Sequence, residues 1–154
     1  MAINCNQELL GYDIDFSQKL LIYGCGGHSK VVSEVAESVG FKDIFHLDPK
    51  NNQRQFMGRS IIEKCSENYK GYFFIAIGDN FVREKIYKEF LISHKSSKSL
   101  VLVHPSSFVS RTSSISEGTI IMPLAVINSS SKIGKGVIIN TSCVVEHDTK
   151  LNNF

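Results

Sequence analysis

Residues 103–151 read VHPSSF VSRTSS ISEGTI IMPLAV INSSSK IGKGVI INTSCV VEHDTK L when the chain is divided into blocks of six. Every block begins with a branched or long aliphatic residue: Val103, Val109, Ile115, Ile121, Ile127, Ile133, Ile139, Val145 and Leu151. The fifth position of each complete block is small or short: Ser107, Ser113, Thr119, Ala125, Ser131, Val137, Cys143 and Thr149. This period fits neither an α-helical turn nor a simple strand alternation, and it is typical of a parallel β-helix built from hexapeptides.

The hexapeptide pattern also restricts where function can lie. Three blocks are expected to form one triangular coil, with the aliphatic residue pointing inward and the small residue at a crowded corner. Because aliphatic side chains then fill the axis, the interior has no room for a ligand. We therefore expect any chemistry on the outer walls of this prism or between neighbouring prisms.

The residues before position 103 alternate between strand and helix patterns. An apolar run at 20–23 predicts a buried strand, and it ends in the glycine-rich stretch GCGGH at 24–28. A helix pattern follows over 31–39, and a second strand at 44–47 ends in Asp48. Strand, glycine turn, helix, strand and acid in this order predict the opening of a Rossmann-like unit.

The later part of this unit continues the pattern. Residues 72–77 predict a central strand that stops at Gly78, and Asp79 or Asn80 can cap the helix after it. That helix is expected to bury one apolar stripe: Phe81, Val82, Ile86, Tyr87, Phe90 and Leu91.

Two stretches complete the predicted organisation. Residues 100–103 indicate a last strand, and residues 51–68 a loop, an edge strand at Ile61 and Ile62, and a short helix. The predicted segments are an amino-terminal extension at 1–18, the Rossmann-like domain at 19–102 and the β-helix at 103–154.

The glycine loop leaves two interpretations open. It reads GxGxxS, because Ser29 stands where a dinucleotide-binding loop has its third glycine. Its position between a strand and a helix favours phosphate binding by backbone N–H groups, whereas a tight turn would need the glycines for steric reasons alone. The short domain favours a nucleotide or a nucleotide sugar over NAD as the ligand.

Composition excludes several classes of function. The net charge of +2 and the absence of a basic run give no nucleic-acid footprint, and no stretch is long and apolar enough for a membrane span. The four cysteines form no CxxC pair, so we expect no metal site and read them as reduced thiols of a cytoplasmic protein. Cys25 is either filler or a thiol whose pKa is lowered at a helix start.

The chain resembles the sialic acid O-acetyltransferase family, which includes the UDP-4-amino-sugar N-acetyltransferases of bacterial glycan pathways. The segments that carry the resemblance are YGCGGHSKVVSEVA, FHLDP, FFIAIGDNFVREKIY, HPSSFVS and GTIIMPLAVINSSSKIGKGVIINTSCVVEHD. The combination of the glycine–histidine loop with NTSCVVEHD is more specific than the hexapeptide run, which many acyltransferases share.

The resemblance implies a fold and an activity. The fold is an α/β Rossmann-like amino-terminal domain that binds the sugar nucleotide, followed by a left-handed parallel β-helix that assembles into a homotrimer. Acetyl-CoA is the implied co-substrate, without a metal. The acceptor is a UDP-amino-sugar or a sialic-acid-type sugar, whose amine or hydroxyl attacks the thioester directly while a histidine takes its proton.

The site residues follow from the same resemblance. His147 matches the catalytic base, Asp148 the carboxylate after it and Asn140 the asparagine of the NT pair, while Glu146 competes with Asp148 for the carboxylate role. Pro49 stands where the family has a second acid after the one that Asp48 matches. The expected substrate side comprises Gly24, Gly26, Gly27, His28, Asp48, Gly78 and Asn80.

The chemistry of His147 is plausible on its own terms. A neutral imidazole, with an ordinary pKa of about 6.5, can accept a proton at cellular pH, and a carboxylate on its other nitrogen fixes the tautomer. Adjacent residues of an extended chain face opposite sides, so pairing with Asp148 requires a corner or a second subunit. His46, His94 and His104 are assigned no role in the site.

The end of the chain adds an expectation and an alternative. Family members continue for several coils beyond the position of Phe154, so the resemblance predicts an incomplete, carboxy-terminally truncated β-helix with weak or absent acetyl-CoA binding. The alternative is a non-catalytic nucleotide-sugar-binding or trimer-scaffold remnant. A nucleotidyl- or NAD-dependent enzyme is disfavoured by Ser29 and by the size of the domain.

Overall fold

The computed structural model describes residues 13–154, so most of the predicted extension lies outside the described residues. The described chain divides into an α/β unit at 16–100 and a β-helix unit at 101–154, with residues 13–15 grouped with the second. Neither of the helices in the described part of the chain is long and apolar enough to cross a membrane.

The α/β unit contains one sheet and two helices. Its elements in chain order are β1 (Leu20–Tyr23), α1 (Gly27–Val39), β2 (Ile44–Leu47), β3 (Gln55–Phe56), β4 (Arg59–Ile62), β5 (Tyr72–Ile75), α2 (Asn80–Ser93) and β6 (Lys98–Ser99). The sheet order is β3-β4-β2-β1-β5-β6, parallel except for the antiparallel pairing of β3 with β4. Leu20, Leu21 and Ile22 of β1 are fully buried, as expected for a central strand that is covered on both faces.

Local sequence accounts for both helices. Helix α1 buries the predicted apolar residues Val32, Val35 and Val39, and it ends at Gly40, whose φ of 120° is accessible to glycine. In α2, Asp79 is the N-cap, and its side chain accepts a hydrogen bond from the N–H of Val82. These predictions are confirmed.

Several details of the α/β prediction are wrong. Residues 63–71 contain no helix, and Ile61 and Ile62 belong to β4, which lies inside β3 rather than at the edge. The last strand of the sheet is β6, whose first residue, Lys98, donates its N–H to Gly71 O, so the predicted strand at 100–103 does not belong to this sheet.

The apolar stripe of α2 also differs from the prediction. Phe81 and Val82 are 83% and 46% exposed, while Arg83 is buried with Tyr87 and Phe90. The difference arises in the first turn, where the backbone carbonyls before the helix give the Arg83 guanidinium hydrogen-bond acceptors.

The β-helix unit contains two-residue strands in regular succession: β7 (Leu102–Val103), β8 (Phe108–Val109), β9 (Ser114–Ile115), β10 (Ile120–Ile121), β11 (Val126–Ile127), β12 (Lys132–Ile133), β13 (Ile138–Ile139), β14 (Val144–Val145) and β15 (Lys150–Leu151). They form three parallel sheets, β7-β10-β13, β8-β11-β14 and β9-β12-β15. Ile121, for example, pairs with Val103 and Ile139, so each strand lies beside the strand three hexapeptides away.

The interior confirms the hexapeptide prediction. The aliphatic residues at the first position of the blocks lie in a single buried cluster, with Leu151 partly buried at its margin. Corners follow the same period, because the fourth residue of a block has positive φ at Gly118, Leu124, Ser130, Gly136, Ser142 and Asp148. The chain changes direction at these residues, which lie between the two-residue strands.

The outer residues of two of the three walls differ in character. Phe108, Val126 and Val144 stack in register on the β8-β11-β14 sheet, and we call this row the apolar wall. Phe108 and Val144 are 58% and 57% exposed. The β9-β12-β15 sheet instead has a polar outer row of Ser114, Lys132 and Lys150.

Candidate functional site

In the described residues, a candidate site lies in the α/β unit and another in the β-helix unit. In the α/β unit, the carboxyl ends of β1, β2 and β5 border a cavity of about 570 Å³, which we call the glycine crevice. Most of the predicted substrate residues line it: Gly24, Gly26, Gly27, His28, Asp48 and Gly78. The carboxyl ends of parallel strands are the usual ligand position in open α/β sheets.

The glycines of the loop have different physical roles. Gly24 has φ of 111°, and a Cβ there would lie 3.1 Å from Ser29 Oγ and 3.2 Å from Ala76 O, so this position requires glycine. Gly26 and Gly27 have open space where a Cβ would lie. Gly26 caps α1 without a side chain, so no cap side chain occupies the first N–H groups of the helix, as anion binding requires.

Asp48 holds the loop in place. Its Oδ2 accepts a hydrogen bond from the N–H of Cys25 at 3.1 Å, and its Oδ1 accepts one from Lys50 N–H at 3.1 Å. A carboxylate oxygen can accept more than one hydrogen bond, so this structural role leaves capacity for a ribose hydroxyl.

Cys25 differs from one of the two interpretations of its sequence position. Burial and the negative charge of Asp48 raise its pKa to about 11, so the side chain is a neutral thiol at cellular pH. The interpretation of Cys25 as a thiol whose pKa is lowered by the helix start is therefore wrong. Filler, the other interpretation, agrees with a thiol that carries no charge.

His28 combines burial with an unused nitrogen. Burial, and then the positive charge of Arg83, lower its pKa, which keeps the ring neutral. Its Nε2 is buried and has no hydrogen-bond partner among the described residues. A buried unsatisfied nitrogen at the wall of a crevice is a candidate ligand contact.

Arg83 does not line the crevice, but it is a buried cation that holds two of the lining residues, and sequence reasoning missed it. Its guanidinium donates to Ile77 O and Gly78 O at 2.8 Å each, and to Asn80 Oδ1 at 2.6 Å. Asn80, although predicted on the substrate side, thus faces Arg83 and is not among the residues that line the crevice. The only signal for this role in the sequence was a basic residue directly after Phe81 and Val82, at the start of the predicted helix.

The second candidate site is a corner of the β-helix. Between β14 and β15 the chain turns through Glu146, His147 and Asp148, and Asp148 has φ of 58°. This turn brings the neighbouring side chains together, with His147 Nδ1 2.7 Å from Asp148 Oδ2. The corner that the pairing required therefore exists within one chain.

Electrostatics at this corner favour a charged imidazole. The hydrogen bond from His147 to Asp148, and the charge of that carboxylate, raise the pKa of His147. Three quarters of the His147 side chain is exposed, which leaves the ring accessible to a reactant.

The other predicted residues near the corner have partners of their own. Glu146 Oε2 accepts a hydrogen bond from Asn128 Nδ2 at 3.0 Å, so this carboxylate is directed to the neighbouring coil rather than to His147. Asn140 lies one corner earlier, after β13, and its Oδ1 accepts the N–H of Thr141. The structure therefore joins His147 with Asp148 and places Asn140 on a different turn.

Known proteins are similar to this chain over both of its units. Residues 19–90 match the family model described as the PglD N-terminal domain. The acetyltransferase domain of PglB from Neisseria gonorrhoeae, solved with acetyl coenzyme A, is 32% identical with a TM-score of 0.78, over 88% of this chain and 68% of that one. A histidine mutant of perosamine N-acetyltransferase from Caulobacter crescentus, solved with CoA and GDP-perosamine, is 31% identical with a TM-score of 0.74, over 87% and 65%.

The chain thus spans about two thirds of the length of these relatives, 68% of one and 65% of the other. The similarity extends over both the α/β unit and the hexapeptide repeats, because it covers 88% of the chain. The chain belongs to the family of amino-sugar acetyltransferases in which a PglD-type N-terminal domain precedes hexapeptide repeats.

Proposed function

We propose that this chain transfers an acetyl group from acetyl-CoA to the amino group of a nucleotide-linked sugar. The observation that carries the proposal is the hydrogen-bonded pair of His147 and Asp148 on an exposed corner of the β-helix. The named relatives support it, because they are an acetyltransferase domain bound to acetyl coenzyme A and an N-acetyltransferase bound to CoA and GDP-perosamine. A hydroxyl of a sialic-acid-like sugar is the second acceptor that the same base could serve.

In the proposed mechanism His147 is the general base. Its Nδ1–H donates to Asp148, which leaves Nε2 unprotonated and able to accept a proton. The neutral sugar amine attacks the thioester carbonyl and forms the C–N bond, while its proton passes to Nε2. The C–S bond then breaks, and the imidazolium returns the proton to the CoA sulfur. Asp148 stabilises the imidazolium between these two steps.

The glycine crevice is proposed as the site of the sugar nucleotide. The uncapped start of α1 behind Gly26 and Gly27 offers N–H groups and a positive dipole to the diphosphate. His28 Nε2 and the spare lone pairs of Asp48 supply polar contacts for the rest of the ligand. The nucleotide base can be uracil, as the sequence resemblance implies, or guanine, as in the perosamine relative.

The proposal includes a homotrimer in the cytoplasm. The apolar wall of Phe108, Val126 and Val144 supports self-association, because an exposed row of large apolar side chains favours burial against another chain. His147 lies at the corner that follows this wall, so assembly through the wall would bring a neighbouring copy close to the proposed base. Acetyl-CoA would bind in the groove between copies.

The decisive test is acetyl transfer by the purified full chain. Acetyl-CoA is mixed with UDP- or GDP-linked 4-amino sugars, and release of the CoA thiol is followed together with the mass of the sugar product. We expect His147→Ala to lower kcat by at least about 100-fold, the usual contribution of a general base. His104→Ala, at another histidine of the β-helix unit, is the matched control and should retain activity. Full activity of His147→Ala would disprove the assignment of the base.

The alternative is a non-catalytic binder of nucleotide sugars. It is favoured by one observation, which is that every residue lining the glycine crevice belongs to residues 16–100. Nucleotide binding in this crevice would therefore need no residue of the β-helix unit. Binding of the sugar nucleotide without any thiol release, under conditions in which acetyl-CoA is saturating, would support this alternative.

A further inference from the structure

A chain of buried polar groups lies beneath the glycine loop and is not explained by the proposed mechanism. Its side chains belong to Ser29, Ser33 and His46, and all three are fully buried. His46 comes from β2, while the serines come from the first two turns of α1. Burying polar side chains is costly unless each is hydrogen-bonded, so their arrangement requires a physical reason.

Each of these three polar side chains forms a hydrogen bond with a backbone carbonyl oxygen near the loop. His46 Nδ1 lies 3.0 Å from Gly24 O, and a carbonyl oxygen can only accept, so Nδ1 carries the hydrogen. The single hydroxyl hydrogen of Ser33 lies between two acceptors, Ser29 O at 2.8 Å from Oγ and His46 Nε2 at 3.3 Å. The polar chain thus joins the carbonyl of the first loop glycine to the first turn of α1.

The last member connects the loop to a third strand. Ser29 Oγ donates to Ala76 O at 3.2 Å, directly after β5. Ser29 stands where a dinucleotide-binding loop has its third glycine, and a glycine at this position could not donate this hydrogen bond. The ends of β1, β2 and β5 and the start of α1 are therefore held by one buried network.

We propose that His46, with Ser29 and Ser33, is a positioning residue for the diphosphate of the ligand. The inference rests on the proposed function of the glycine crevice. His46 holds the Gly24 carbonyl inward, which prevents this partial negative charge from facing an anion and keeps the α1 N–H groups aimed at the crevice. None of the three side chains needs to touch the ligand, because they act through the loop backbone.

The test measures UDP and GDP binding to the full chain by isothermal titration calorimetry. His46→Leu removes both nitrogens and should weaken binding by at least about tenfold, by analogy with the loss of a hydrogen bond that orients a metal-binding side chain. His46→Asn offers an amide N–H near the position of Nδ1 and should restore the affinity to within about threefold of the wild-type value. Ser38→Ala is the matched control, since its hydroxyl also bonds to a carbonyl of α1 but at the far end.

The outcomes separate this inference from the proposed function. If wild type binds a nucleotide and a folded His46→Leu variant binds it within twofold of wild type, the positioning role is disproved and the function stands. If wild type binds neither nucleotide, both proposals fail. If His46→Leu does not fold by circular dichroism, Ser29→Ala and Ser33→Ala decide, and unchanged affinity in both would overturn the inference.

Discussion

His147 and Asp148 show how much a single backbone angle contributes to a candidate site. Neighbours in an extended strand point to opposite faces, but Asp148 has φ of 58°, and the turn places its carboxylate 2.7 Å from His147 Nδ1. Asp148 N–H is also held by Ser129 O of the preceding coil at 3.0 Å, so the turn belongs to the stacked structure rather than to a free loop. The pair is therefore preorganised before any substrate binds.

Asp148→Asn tests this pairing through the pH dependence of the reaction. Asparagine tolerates positive φ, so the corner should keep its shape. The carboxylate raises the pKa of His147, hence its removal lowers that pKa, and the acid limb of the kcat/KM profile should move to lower pH. The rate plateau should fall by roughly tenfold or more, because the imidazolium formed in the reaction loses its stabilising charge. An unchanged acid limb would show that Asp148 does not control the base.

The glycine loop shows which residues an element requires for its backbone and which for its ligand. Gly24 adopts φ of 111° and packs against Ser29 and Ala76, whereas Gly26 has φ of −93° and open space at its Cβ position. The first glycine therefore serves the fold. The second leaves the helix start uncovered.

Alanine substitutions should separate these roles. Gly24→Ala is expected to destabilise the protein by about 1–3 kcal/mol, the cost of a disfavoured backbone conformation, and to weaken nucleotide binding. Gly26→Ala, the matched control for stability, should leave the melting temperature nearly unchanged. Thermal melts and titration with UDP measure both effects. Equal melting temperatures for the two variants would contradict the assigned role of Gly24.

Elements with a strict period were predictable from the sequence, and elements that depend on tertiary partners were not. The hexapeptide strands and α1 follow directly from the spacing of their apolar residues. Strands β3 and β6 have two residues each, too few to display a period, and they exist because β4 and β5 offer free backbone partners.

The candidate sites show the same limit. The glycines, Asp48 and His147 were identifiable because motifs carry them, and their assigned roles remain predictions. Arg83 and His46 were not identifiable, because a buried arginine and a buried histidine depend on carbonyls from distant segments. Such partners become visible only after the sheet has brought the strand ends together.

At the scale of the whole molecule, binding and chemistry are proposed for different units. The α/β unit contains the crevice, and the β-helix unit contains His147 and the apolar wall. Under this proposal, the residues of the crevice and those of the His147 corner could change independently in sequence. Assembly is the feature through which the β-helix unit would complete its own site.

The assembly prediction concerns the centre of the apolar wall. Val126→Lys places a charge between Phe108 and Val144 and should convert the proposed trimer to monomers, because burying an unpaired ammonium is strongly unfavourable. Ser114→Lys, on the outer face of a different wall, is the matched control and should remain assembled. Sedimentation velocity gives the mass of each variant. A monomeric wild type, or an unchanged mass for Val126→Lys, would exclude this wall as the interface.

The pairing of each two-residue strand with the one three hexapeptides further along has a consequence for how such a chain can change in length. Duplication or loss of one full circuit would return every following side chain to its former wall. A gain or loss of hexapeptides that is not a multiple of three, placed between Phe108 and His147, would move His147 away from the Phe108 row. Variation in the size of this unit should therefore occur in whole circuits, each of three hexapeptides.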